Sequence, residues 1–125
     1  MIVMKREMEV NKEEFFAFLE ERKNSTMKEA LNLVKEERKD DSNTLKAKAN
    51  IYDIIKAFWN AEEKKTEDKK VFLENLLEKI AMLQANWTTS LELAKQHNDV
   101  AKIVIEEAKL SAVDEIVNTL TATRV

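Results

Sequence analysis

Apolar residues recur along this chain in steps of three and four, the spacing that returns successive side chains to one side of a helix. Asn11 followed by Glu14 has the capping-box arrangement, and Val10 and Phe15 fall at the positions of a hydrophobic staple. A first helix is therefore predicted from about Lys12 to Lys23, with a short aromatic face of Phe15, Phe16, Phe18 and Leu19. Asn24-Ser25-Thr26 reads as a break, and Thr26 with Glu29 repeats the capping spacing. A second helix then carries Met27, Ala30, Leu31 and Val34 on one face before entering the wholly polar run from Lys35 to Asp41.

Asp41 through Asn43 offer caps for a third helix. Its stripe is Ile51, Ile54, Ile55 and Phe58, with Leu45, Tyr52 and Trp59 repeating every seven residues beside it. This is the most apolar face of the N-terminal half and the expected centre of the core. A second polar run, Glu62 to Lys70, precedes a fourth helix bearing Phe72, Leu76, Ile80, Leu83 and Trp87, with Thr66 the best cap candidate. The weak helix formers from Asn86 to Ser90 do not interrupt the period, because Leu91 and Ala94 continue it. One continuous or gently bent helix is predicted from about Glu67 to His97, with threonine hydroxyls bonding back to carbonyls four residues earlier.

Asn98-Asp99 marks the last break, with Asp99 as cap. The final helix, about Val100 to Thr121 and roughly 30 Å long, carries two apolar stripes. Ile103, Leu110, Val113, Val117 and Leu120 form one; Ala101, Ile105, Ala108, Ala112 and Ile116 form the other. A helix apolar over so wide an arc is buried on more than one side, by its own bundle or by a partner chain.

The sequence contains no glycine and no proline, where average usage would place roughly fifteen of the two in a chain of this length. A chain without either is most simply built of long helices joined by polar links. The predicted class is all-α: an antiparallel bundle of four to five helices, with residues 1–10 as an N-terminal arm and 11–125 as one domain. The same absence excludes glycine-rich phosphate loops, dinucleotide fingerprints and nucleophile elbows. With no cysteine, disulfides and thiolate chemistry are excluded as well.

Charged residues make up 36% of the chain and the net charge is −3. Residues 1–65 hold fourteen charges of each sign, so the acidic excess lies wholly in the C-terminal half. A nucleic-acid binder usually shows a basic excess; the least diluted basic patch is Lys46, Lys48 and Lys56 around Asp53. The N-terminus lacks an apolar run of secretory length, and no stretch approaches the ~20 apolar residues of a membrane span. A cytoplasmic location is the expectation, with no membrane partner.

Candidate chemistry is sparse. His97 is the only histidine, and it sits where an imidazole simply favours the carbonyl end of a helix. A bundle di-metal site needs Glu-x-x-His from each of two helices; Ala94 occupies the position three before His97. Glu74 with Glu78 and Glu63 with Glu67 are carboxylate pairs at helical spacing, each beside lysines and off the apolar stripes. The aromatics fall on those stripes, with Trp87 the exception that could line a groove or interface. No catalytic residue, cofactor or metal is predicted. The leading expectation is a non-enzymatic helical interaction module of adaptor, small-chaperone or inhibitor type, binding a protein partner and forming a homodimer through its final helix. Its expected interface residues are Trp87, Ile103, Leu110, Val113, Val117 and Leu120. The alternative is a nucleic-acid-binding regulator using the second and third predicted helices as a helix-turn-helix.

Overall fold

The computed structural model describes residues 11–121, and the predicted arm of residues 1–10 lies outside them, together with Val10 of the expected staple. Four helices follow one another: α1 (Lys12–Lys35), α2 (Lys39–Glu63), α3 (Lys69–Gln96) and α4 (Val100–Thr121), with no strand among the described residues. The fold is an all-α bundle made of two helical hairpins, α1–α2 and α3–α4, joined by the link after Glu63.

The expected break at Asn24-Ser25-Thr26 does not form; α1 runs straight through it. Weak helix formers cost at most ~0.7 kcal/mol each relative to alanine, which a continuous partner helix outweighs. That partner is α2, lying antiparallel along α1. Ion pairs Lys12–Glu63 (2.8 Å), Glu20–Lys56 (2.9 Å) and Lys23–Asp53 (3.0 Å) step along the pair. Nearer the turn, Ser42 Oγ donates to the Ala30 carbonyl at 2.8 Å, both residues being fully buried. The caps are divided between expected and unexpected residues. Asn11 Oδ1 accepts from the Glu14 N–H, and Asp99 Oδ1 from the Lys102 N–H, as the sequence predicts. Asp68 caps α3 in place of Thr66, whose hydroxyl instead accepts from the Asp68 N–H. α2 has Arg38 at its N-cap, without a side-chain cap, three residues before the expected Asp41.

The hairpin turns show how a chain without glycine reverses. Both are Schellman motifs. After α1, Arg38 N–H bonds the Leu33 carbonyl and Glu37 N–H the Val34 carbonyl; after α3, Asp99 N–H bonds Ala94 and Asn98 N–H bonds Lys95. The left-handed residue each motif requires is Glu37 (φ 62°) in the first and Asn98 (φ 53°) in the second.

The joint core draws on every helix: Phe15 and Leu19 from α1, Ile51, Tyr52, Ile55 and Trp59 from α2, Leu76 and Ile80 from α3, and Ala112, Val113, Ile116 and Leu120 from α4. It occupies the open ends of both hairpins. Trp59 is its hub, stacked on Phe15 (centroids 5.3 Å apart) and edge-on to Phe16 (5.8 Å) and Phe72 (4.7 Å). Glu62 clamps α2 to α3, its Oε2 meeting Lys65 at 3.1 Å and Lys79 at 3.0 Å. Those two ammonium groups hold the Glu62 carboxyl below the usual carboxylate range.

Toward the closed ends the hairpins bury little. Of the stripe Met27, Ala30, Leu31, Val34, only Ala30 is buried; Leu31 is 56% exposed. In the α3–α4 arm, residues 83–110, only Leu91, Ala94 and Glu106 are buried. This arm positions the candidate site.

Candidate functional site

The two apolar stripes of α4 meet different fates along its length. Its second half is consumed by the joint core, including Val113 and Leu120 at 0% and 1% exposure. These two of the expected interface residues therefore face inward and have no surface left to offer. Val117 and Trp87 are partly buried and packed against the same core, and Ile103 and Leu110 are half-buried in the arm. The first turns of α4 are bare instead: Val100 is 69% and Val104 44% exposed, beside exposed Ala101, and across the Asn98 turn Leu93 is 49% exposed. The sequence showed that α4 was apolar all round; which turns stay uncovered depends on where α2 crosses it.

Trp87 is not free to stack on a ligand. Lys109 Nζ sits 4.8 Å from its ring, and the same lysine reaches Glu106 Oε1 at 2.9 Å. Glu106 is buried in the arm, and its Oε2 has no hydrogen-bond partner. Other partly covered aromatics carry cations too: Lys12 and Lys56 over Phe16, Arg22 over Phe18, Lys79 over Phe58. The aromatic set packs into and against the core, with cations over its partly covered rings.

At the other end of the molecule, where the α2–α3 link leaves the bundle, lies a cleft of about 370 Å³. Trp59, Phe72 and Leu73 line it, with Lys12, Glu63 and Lys69 at its polar edge. Lys12 and the indole N–H of Trp59, 3.3 Å from Glu63 Oε2, hold the Glu63 carboxyl below its ordinary range. A carboxylate so held stays ionised near neutrality and is a poor general acid. Glu67 also lines the cleft, whereas Glu74 and Glu78 lie elsewhere on α3. No group of three or more metal-ligating side chains comes together among the described residues. His97 is the exposed C-cap of α3, its backbone N–H bonded to the Leu93 carbonyl.

The segments expected to form a helix-turn-helix are the second half of α1 and the first half of α2, which lie antiparallel. The crossed pair of helices that the motif places on a duplex is not formed there. No helix among the described residues is long and apolar enough to cross a membrane. No protein-family model matches the sequence, and neither a curated protein nor a solved structure is similar to it.

Proposed function

We propose that this chain is a non-enzymatic helical interaction module, of adaptor, small-chaperone or inhibitor type, which binds through its α3–α4 arm and self-associates there. One observation carries the reading: the arm buries only Leu91, Ala94 and Glu106 between its two helices while leaving Leu93, Val100 and Val104 in water. A helical hairpin with so small an interior is poorly supported by itself. Covering the exposed apolar residues removes them from water at a gain of roughly 25 cal/mol per Å², and a second protein surface supplies the cover.

The experiment is sedimentation equilibrium of the full chain beside a Leu93→Glu/Val104→Glu variant. The wild type should show a mass of twice 14.5 kDa at high concentration. The variant should be a monomer with an unchanged far-ultraviolet helical signal, because both side chains are exposed. Self-association that survives both charges would remove the arm from the binding surface.

A further inference from the structure

We infer that the outer face of α3 is the seam on which a second copy of this chain packs, along Met82, Asn86, Thr89 and Leu93. The inference rests on the self-association proposed above and names its partner and its face. From Ile80 to Ala94, α3 carries one charged side chain, Glu92, in a chain that is 36% charged overall. Its inward residues are occupied, Ile80 in the joint core and Leu91 and Ala94 within the arm. The outward line is Met82, Asn86, Thr89 and Leu93, spaced four, three and four. Every member is exposed, Met82 at 63%. A water-facing helix surface ordinarily carries charge, and depletion of charge marks the centre of an interface.

The hydroxyls on this face are already satisfied. Thr88 Oγ1 donates to the Gln84 carbonyl at 2.7 Å and Thr89 Oγ1 to the Ala85 carbonyl at 3.1 Å. Both threonines are exposed, beside exposed Ala81 and Ala85. A hydroxyl bound in this way needs no acceptor from a partner when the face is dried.

The occupant follows from charge. A two-fold contact lays a surface against itself, so any net charge on it repels its own copy. The line carries no charge of its own, with exposed Glu92 on its flank beside Leu93, and it offers no cation to nucleic acid or to an acidic peptide. Its one unsatisfied polar group, the Asn86 carboxamide, both donates and accepts, and so can pair with the same seam of a second molecule. The four-three-four spacing is that of a two-helix seam, in which a single asparagine fixes register and oligomer state. From Met82 to Leu93 the seam is about 16 Å long. That is short of a standard-size interface, so a dissociation constant on the order of micromolar is expected.

Sedimentation equilibrium of the full chain tests this with two pairs of substitutions. Met82→Glu/Asn86→Glu should raise the dimer dissociation constant at least tenfold, with the helical signal retained because both side chains are exposed. Val100→Glu/Val104→Glu, on the α4 flank of the same arm, should raise it by less than the α3 pair does. A dimer that survives the α3 pair but disperses with the α4 pair would overturn the α3 seam while leaving self-association through the arm intact. A wild type still monomeric at roughly 500 µM, far above the expected constant, would overturn both the seam and self-association through the arm. If the double variant loses helical signal, Thr89→Lys alone decides: an undiminished dimer sinks the seam.

Discussion

The Tyr52 hydroxyl donates to Glu115 Oε1 at 3.1 Å, while the other oxygen of that carboxylate meets Arg22 Nε at 3.2 Å. One side chain of α4 thus fastens α2 and α1 together at the edge of the joint core. The phenol is fully buried and the carboxylate is half-exposed. Ionising Tyr52 would place a second negative charge in low dielectric against Glu115, and burial with that neighbour pushes its pKa up to about 12 from the ordinary 10.0.

Tyr52 is the only tyrosine, so phenolate absorbance in an alkaline titration reports it alone. Its midpoint should lie near 12 in the folded protein and near 10 in denaturant. The folded state keeps a proton that the unfolded state releases, so stability is full below pH 10 and declines as pH rises toward 12. Glu115→Gln should lower the folded midpoint, since a repelling charge is removed. Tyr52→Phe should cost about 1.5–3 kcal/mol of stability, the value of a hydrogen bond to a charged group. A native midpoint at 10 would mean that the phenol is not held as described.

The acid limb should depend on Glu62. Its carboxyl is held below the ordinary range by Lys79 and Lys65, so the folded state releases that proton more readily than the unfolded state does. The stabilisation is present above the unfolded pKa, near 4.5, and is lost as pH falls through the lower folded value. Denaturation midpoints of Glu62→Gln should be lower than wild type at neutral pH and converge with it in acid. A constant gap between the two across the range would contradict the clamp.

Glu37 occupies a left-handed conformation (φ 62°) that a Cβ disfavours. Glu37→Gly should therefore raise stability by about 0.5–1 kcal/mol, an unusual sign for a glycine substitution. Asn98→Gly, at φ 53°, should gain less, because asparagine tolerates this region better. Chemical denaturation of the two variants gives the comparison.

Ala30 and Ser42 set the approach of α1 to α2, joined by a 2.8 Å hydrogen bond in a fully buried contact. Ala30→Leu should cost about 1–3 kcal/mol by overpacking. Ser42→Ala should cost only about 1 kcal/mol, because the Ala30 carbonyl lies within α1 and retains its helical partner. Equal losses would show that the hydrogen bond, and not the close approach, holds the turn end of the hairpin.

Helix type was legible because period and composition agree. With neither glycine nor proline, the stripes of α2 and α3 had no competing reading, and Thr88 and Thr89 bond back along a helix that stays continuous. Asn11 and Asp99 cap as their spacing implies, because a cap is a contact within four residues. The Asn24-Ser25-Thr26 break does not form because its fate depends on α2, a helix distant in sequence, whose packing along buried Phe15, Leu19 and Ala30 of α1 outweighs a local propensity of tenths of a kcal/mol. The candidate surface was partly legible: the breadth of the α4 stripes announced more apolar area than one side needs. Its location was not, and Val113 and Leu120 went to the core.

Local pattern alone settles that this chain is helical, where two of its four helices begin, and that apolar surface is left over. Those properties are settled by neighbours three or four residues apart. How many helices result, that Trp59 is the hub where the aromatics meet, and that Leu93, Val100 and Val104 on the α3–α4 arm stay uncovered along with Leu31 on α1, follow only from long-range packing. A stripe records that a side chain prefers to leave water, and only the crossing of two distant helices decides whether it does.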